Sequence, residues 1–371
     1  MGPVVRVEVM AVGPSMPPVQ YTGTAPPGLD TMTLVVLTDE DGTVGMASYD
    51  ADSYDHHDLA SMEGLRAPAR AVLGRDPLDR LRIGAEIAAL RPTPFTAPGP
   101  VSAIETALWD LAAKSANQPL FQYLGGARDA IPGYASLPVS DTVEACLEMV
   151  GEAQAAGFGC VKLHVSGDPR TDAVLAERVR AAFSDLEVMW DAEGVYDGQG
   201  AAYVAAALDA IGARWFEAPL PDQDLAGYRD LRRRFGVPLI PAGDFFWDLR
   251  VLGEVLRDPP WDAIRSEASA GGGIGYLVRL AGLAESFGLQ TELATYGFGF
   301  TQAANLHVML GLGTGSYFEQ PFPAEPWTFG LTDPYPFGYG ADYHAPDAPG
   351  LGVSIDLALI EPAVVARFVV Q

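Results

Sequence analysis

The chain has 371 residues, 49% of them hydrophobic and only 19% charged, which supplies a sizeable core and excludes a disordered class. Acidic residues outnumber basic ones 48 to 23, for a formal net charge of −25. That balance excludes a nucleic-acid binder, which needs basic surface to neutralise phosphates, and disfavours an anionic membrane surface. Most of the excess reads as solubility, with a few acids left to converge on a metal. Only Lys114 and Lys162 are lysines; the other basic residues are arginines. A lysine kept against that bias marks a place that needs a compact ammonium. Two cysteines, Cys146 and Cys160, make no disulfide framework and fit a reduced, cytoplasmic setting. No apolar run approaches roughly 18 residues, so neither a signal peptide nor a membrane span is expected.

In chain order, residues 4–13 and 31–50 read as antiparallel strands, with Asp41-Gly42 as a turn. Residues 15–30 are too rich in Pro and Gly for regular structure and read as a functional loop. Residues 57–90 and 101–117 carry helical periodicity, which makes residues 1–128 an α+β domain. From residue 131 short apolar runs alternate with longer amphipathic ones. Strands are expected over 131–136, 160–165, 187–193, 213–220, 238–244, 263–268, 290–296 and 317–320. Eight strands alternating with helices predict an α/β fold, a parallel TIM-type barrel over 129–320. The competitor is an open doubly wound sheet. It loses ground because no G-x-G-x-x-G follows an early strand, and Gly271-Gly272-Gly273 comes only after the sixth. Residues 321–371, rich in Pro, Gly and aromatics, are expected to wrap back over the chain.

Catalytic groups of a barrel sit at the C-terminal ends of its strands. Here those ends carry Ser136, then Lys162 and His164, Asp191 and Glu193, Glu217, Asp244, Glu267, Thr295 and Glu319. The spacings 217 − 191 = 26, 244 − 217 = 27 and 267 − 244 = 23 each match one β-α repeat. A carboxylate inside an apolar strand is costly unless it is paired or bound to a metal. One such residue would read as a solvated loop edge. Three on consecutive strands predict a site for a hard divalent cation, Mg²⁺ first and Mn²⁺ second, held by Asp191, Glu217 and Asp244. Zn²⁺ fits less well, since no Cys or His cluster accompanies them. Lys162 lies one strand earlier, where a nearby metal would lower its pKa for base or electrostatic work.

These residues carry a resemblance over essentially the whole chain. PVSAIETALWDLAAKSANQPLFQYLGG (100–126), the three strand-end acids and APDAPGLGVSID (345–356) resemble the enolase superfamily, in its mandelate racemase/muconate-lactonising group. The resemblance implies an α+β capping domain, a modified (β/α)₇β barrel, and a C-terminal segment returning to the cap. It implies metal-assisted removal of a proton alpha to a carboxylate through an enediolate. It also implies a homo-oligomer, from dimer to octamer.

The departures from the family pattern set further expectations. Lys162-Leu163-His164 stands where the family often has Lys-x-Lys, so His164 is the expected base, with Lys162 supporting the substrate carboxylate. Asp244 replaces the usual Glu. Glu267 holds the position of an Asp and Ala294 that of a His, so the family's Asp-His dyad is absent. Glu319 matches an acid that hydrogen-bonds the substrate carboxylate. Tyr21, His56, His57, Ser136 and Glu193 are candidates to reach the substrate, while His307 reads as structural. The expected function is a Mg²⁺-dependent lyase or isomerase acting on a small hydroxy acid, an acid-sugar dehydratase first. The alternatives are an epimerase or cycloisomerase with Lys162 as base, and a degenerate barrel that binds a ligand without turnover.

Overall fold

A computed structural model describes residues 2–14, 18–25, 27–53, 59–90, 98–243 and 245–371. The N-terminal unit is built on three antiparallel strands, β1 (Val4–Val12), β2 (Leu29–Asp39) and β3 (Val44–Ser53). Their alternation serves two cores at once. Val7, Val9, Ala11, Val35 and Leu37 join the apolar cluster under the cap helices, whereas Met10, Val12, Met32, Leu34 and Val36 join the barrel's cluster. A sheet buried on both faces explains why LVVL (34–37) is continuously apolar. The expected turn forms at Gly42, in the left-handed region at φ 82°, with Asp39 Oδ1 accepting from the Thr43 amide at 2.8 Å.

The helix Val101–Ser115 is buried along almost its whole length and carries the signature motif. Asp110 explains much of that motif. It accepts from the Met46 amide at 2.8 Å and the Leu351 amide at 2.7 Å, and from Lys114 Nζ at 2.7 Å. Lys114 also reaches the Val44 carbonyl at 2.9 Å. One carboxylate therefore ties cap helix, β3 and the C-terminal segment together.

Eight parallel strands form the barrel: β4 (Ile131–Leu137), β5 (Cys160–His164), β6 (Glu187–Asp191), β7 (Phe216–Glu217), β8 (Leu239–Ile240), β9 (Ala263–Ser266), β10 (Gln290–Leu293) and β11 (Phe318–Pro321). β11 closes onto β4. This is the (β/α)₇β barrel with an α+β cap. Afterwards β12 (Asp342–Tyr343) pairs antiparallel with β4, and β13 (Val364–Val370) pairs antiparallel with β1, giving a cap sheet of order β13-β1-β2-β3.

An inner layer of Tyr134, Cys160, Met189, Trp215, Ile240 and Ala263 fills the barrel. Two residues further along the strands come Ser136, Lys162, Asp191, Glu217 and Arg265. The period of two puts those side chains on the same inward face, one layer above the apolar plug. Among the described residues no helix is long and apolar enough to cross a membrane.

Candidate active site

Strand register assembles the site. Asp191 lies level with His164 on one side and Glu217 on the other, across three adjacent strands. Lys162 lies level with Ser136. The cavity above them has a volume of about 560 Å³ and is lined on the barrel side by Lys162, His164, Asp191, Glu193, Glu217, Arg265, Glu267 and Glu319. The cap supplies Tyr21, Asp30, Tyr49 and Asp50, and Tyr296 and Trp327 complete the wall.

Lys162 is 2% exposed, and its ammonium lies 2.9 Å from Asp191 Oδ2, 3.1 Å from Glu217 Oε2 and 2.7 Å from Glu319 Oε1. Burial alone would discharge it, but the three carboxylates outweigh burial and hold it protonated well above the ordinary lysine range. Arg265 pairs with Glu217 Oε1 and, at 2.7 Å, with Glu319 Oε2. Lys162, Glu217, Arg265 and Glu319 thus close a ring of alternating charge. Burial raises Glu319, yet Lys162 and Arg265 win and hold it ionised below the usual carboxylate range. Glu217 goes the other way. Burial, with Asp191 and Glu319 adding to it, pushes its carboxyl up to about 8 against the pull of Arg265 and Lys162.

His164 Nδ1 lies 2.7 Å from the Leu137 carbonyl, which can only accept, so Nδ1 carries the hydrogen. Nε2 is then the working nitrogen, 3.6 Å from Asp191 Oδ2 and 3.5 Å from Glu193 Oε1. Burial lowers the imidazole's pKa, and Glu193 and Asp191 more than reverse that, raising it above the ordinary value. Two strand ends carry strained backbone: Glu193 at φ 50° and Ala218, next to Glu217, at φ 42°. Glu193 also receives its place from Asp191, whose Oδ1 accepts the Glu193 amide at 3.1 Å.

Other expected residues distribute unevenly. Tyr21 is in the site: its hydroxyl reaches Asp30 Oδ1 at 3.1 Å, and its ring stands edge-on to His164 at 6.0 Å and Tyr296 at 5.5 Å. Glu267 lines the cavity and accepts from Ser269 Oγ. Ala294 lines it too, at the end of β10, where the absent histidine would stand. Ser136 is wholly buried and is not part of the cavity wall. Glu319 lines the cavity, with one of its oxygens held by Lys162 and the other by Arg265. Asp244, His56 and His57 lie outside the described residues. His307 is structural: Nδ1 accepts from the Phe121 amide at 2.9 Å and Nε2 donates to the Leu351 carbonyl at 3.0 Å.

Sequence reasoning passed over Arg265, Asp30, Asp50, Asp222, Tyr296 and Trp327. Arg265 had a signal, since a guanidinium inside the apolar run AIRSEA is as costly as a carboxylate there. Asp50 joins cap to barrel by accepting from the Phe298 amide at 2.9 Å, a contact no local pattern announces. Asp222, in the loop after β7, accepts from the Ala242 and Gly243 amides at 2.9 and 3.0 Å. It fixes the backbone that enters Asp244.

The donor set fits a divalent metal. Oxygens of Asp191 and Glu217 converge on a single ammonium, as they would on a cation. His164, Asp191 and Glu193 also offer ligand atoms that all lie within 4.8 Å of one another.

A capped (β/α)₇β barrel whose mouth gathers buried carboxylates around a lysine and a histidine defines an enzyme of lyase or isomerase type. The chain belongs to the mandelate racemase/muconate lactonizing enzyme family of the enolase superfamily. Residues 5–125 match the mandelate racemase/muconate lactonizing enzyme N-terminal domain and residues 145–359 the enolase C-terminal domain-like family. A Pseudovibrio sp. protein assigned to the mandelate racemase/muconate lactonizing enzymes superposes with a TM-score of 0.94 at 31% identity, covering 99% of this chain and 98% of that one. A D-galactonate dehydratase family member from Streptomyces bingchenggensis is 28% identical, over 90% of this chain and 89% of its own. A racemase from Streptomyces coelicolor A3(2), solved with bound magnesium, shares the fold at a TM-score of 0.87 and 21% identity, covering 98% of this chain and all of that one.

Proposed function

We propose that the protein is a Mg²⁺-dependent lyase that removes the proton alpha to the carboxylate of a small hydroxy acid, an acid sugar foremost, and eliminates water. The observation that carries this reading is the placement of His164. Its Nδ1 hydrogen is committed to the Leu137 carbonyl, which leaves Nε2, beside Asp191, as the nitrogen that exchanges a proton. His164 takes the alpha proton there. Lys162 is held charged by three carboxylates, which suits it to stabilising the enediolate rather than to taking a proton. Asp191 and Glu217, with Asp244 as the expected third ligand, would hold the cation, which would polarise the substrate carboxylate. Glu267 is assigned to proton delivery to the departing hydroxyl. Ala294 leaves no histidine at the end of β10, which favours a single base over two-base racemisation.

The test is exchange of the substrate's alpha hydrogen in D₂O across an acid-sugar panel, with wild type and His164→Ala. Exchange and dehydration by wild type and their loss in the variant are expected. Full exchange in the variant removes His164 from the role. If calorimetry at millimolar Mg²⁺ shows no binding, the reading as a ligand-binding barrel without turnover replaces it.

A further inference from the structure

We propose that Arg265 is a positioning residue that keeps the divalent-cation site weak by competing with the cation for Glu217. The inference rests on the assignment of Glu217 to that site. Arg265 sits on β9 at 4% exposure and is held from two sides. Its guanidinium meets Glu217 Oε1 and Glu319 Oε2, while Lys162 meets the remaining oxygen of each, at 3.1 and 2.7 Å. Both oxygens of a carboxylate expected to bind metal are therefore already engaged by cations of the chain.

The two cations do not hold Glu217 equally. Lys162 divides a point charge among three carboxylates, so yielding one contact leaves it two. Arg265 is a planar fork fitted to two carboxylates and loses half its pairing if Glu217 turns away. Its backbone is fixed as well. Gly243, at φ 96°, packs so closely on the strand that a Cβ there would come within 2.3 Å of the Arg265 carbonyl. The arginine's strand and the segment leading into Asp244 thus brace each other.

The charge matters as much as the contact. Repulsion from a fixed cation scales with the charge of the approaching ion, so Arg265 opposes a divalent ion twice as strongly as a monovalent one at the same place. Removing Arg265 therefore favours the cation at Glu217. Loss of a buried arginine would ordinarily damage a metal site, and a gain in affinity is an outcome that mere damage cannot produce.

The experiment is titration calorimetry of the full chain with Mn²⁺ alone, at pH 8, for wild type, Arg265→Gln, Glu217→Gln and the charge-balanced pair Arg265→Gln with Glu319→Gln. Circular dichroism checks that each is folded. Arg265→Gln is expected to bind Mn²⁺ at least tenfold more tightly than wild type. The double variant, which keeps the net charge of the cluster unchanged if the single one fails to fold, is expected to shift in the same direction. Unchanged or weaker Mn²⁺ binding in the folded Arg265 variants overturns the inference. The Glu217→Gln arm separates the two failures. If it binds Mn²⁺ as wild type does, the assignment of Glu217 to the cation site is what has failed.

Discussion

Glu105, on the cap helix Val101–Ser115, accepts from Trp109 Nε1 at 2.7 Å and from the Gly275 amide at 3.1 Å, in the first turn of the barrel helix Ile274–Ser286. It is 4% exposed, and burial pushes its carboxyl up from 4.5 to about 7 against the pull of those donors. A carboxyl raised on folding stabilises the native state fully below its unfolded value and loses that stabilisation as pH rises through the folded one. The window therefore opens near 4.5 and closes just above 7. At about 1.4 kcal/mol per unit the whole loss is about 3 kcal/mol, of which about 2.5 kcal/mol falls between pH 5 and pH 8. Glu105→Gln keeps an acceptor for Trp109 and Gly275 but does not titrate. The variant should lie within about 1 kcal/mol of wild type at pH 5 and exceed it at pH 8. Denaturant unfolding of both proteins at the two pH values reads this directly, because other titrating groups cancel in the comparison. Parallel pH dependences for the two proteins would refute the reasoning.

Two further expectations come from other buried groups. His307 is held neutral by burial, its pKa lowered to about 4, so it stabilises the fold above the unfolded value of 6.5 and loses that as pH falls toward 4. His307→Gln should remove about 2.4 kcal/mol of the acid-side decline, measured as the difference in unfolding free energy between pH 7 and pH 4.5. Asp222 acts on the cation site through the backbone it holds at Ala242 and Gly243. Asp222→Ala should weaken Mn²⁺ binding roughly 10- to 100-fold in calorimetry with little change in far-UV dichroism.

The barrel was legible because strand-end chemistry repeats with the β-α unit. The eight strands fall where short apolar runs stop, although β7 and β8 shrink to two residues each. Asp191 and Glu217 were legible for the same reason, since buried acids in apolar runs demand an explanation. Arg265 obeys the same rule with the opposite sign and went unread because only the acids were weighed. The pairing of Glu319 with Arg265, fifty-odd residues away in sequence but 2.7 Å away in space, had no local signal. Asp50 and Asp222 had no local signal. Their work is to accept backbone amides from other elements, and only the closed fold brings those amides near.

The pairing of β13 with β1 has a bearing on how the molecule is made. β1 is an inner strand of the cap sheet, with the chain's last strand on one side of it and β2 on the other. During synthesis β1 leaves the ribosome well before β13 and stays half-paired until β13 follows. Its outer hydrogen-bonding edge is a template for any other strand during that interval. The cap sheet is thus completed only after the barrel strands have been made, although its other three strands precede them.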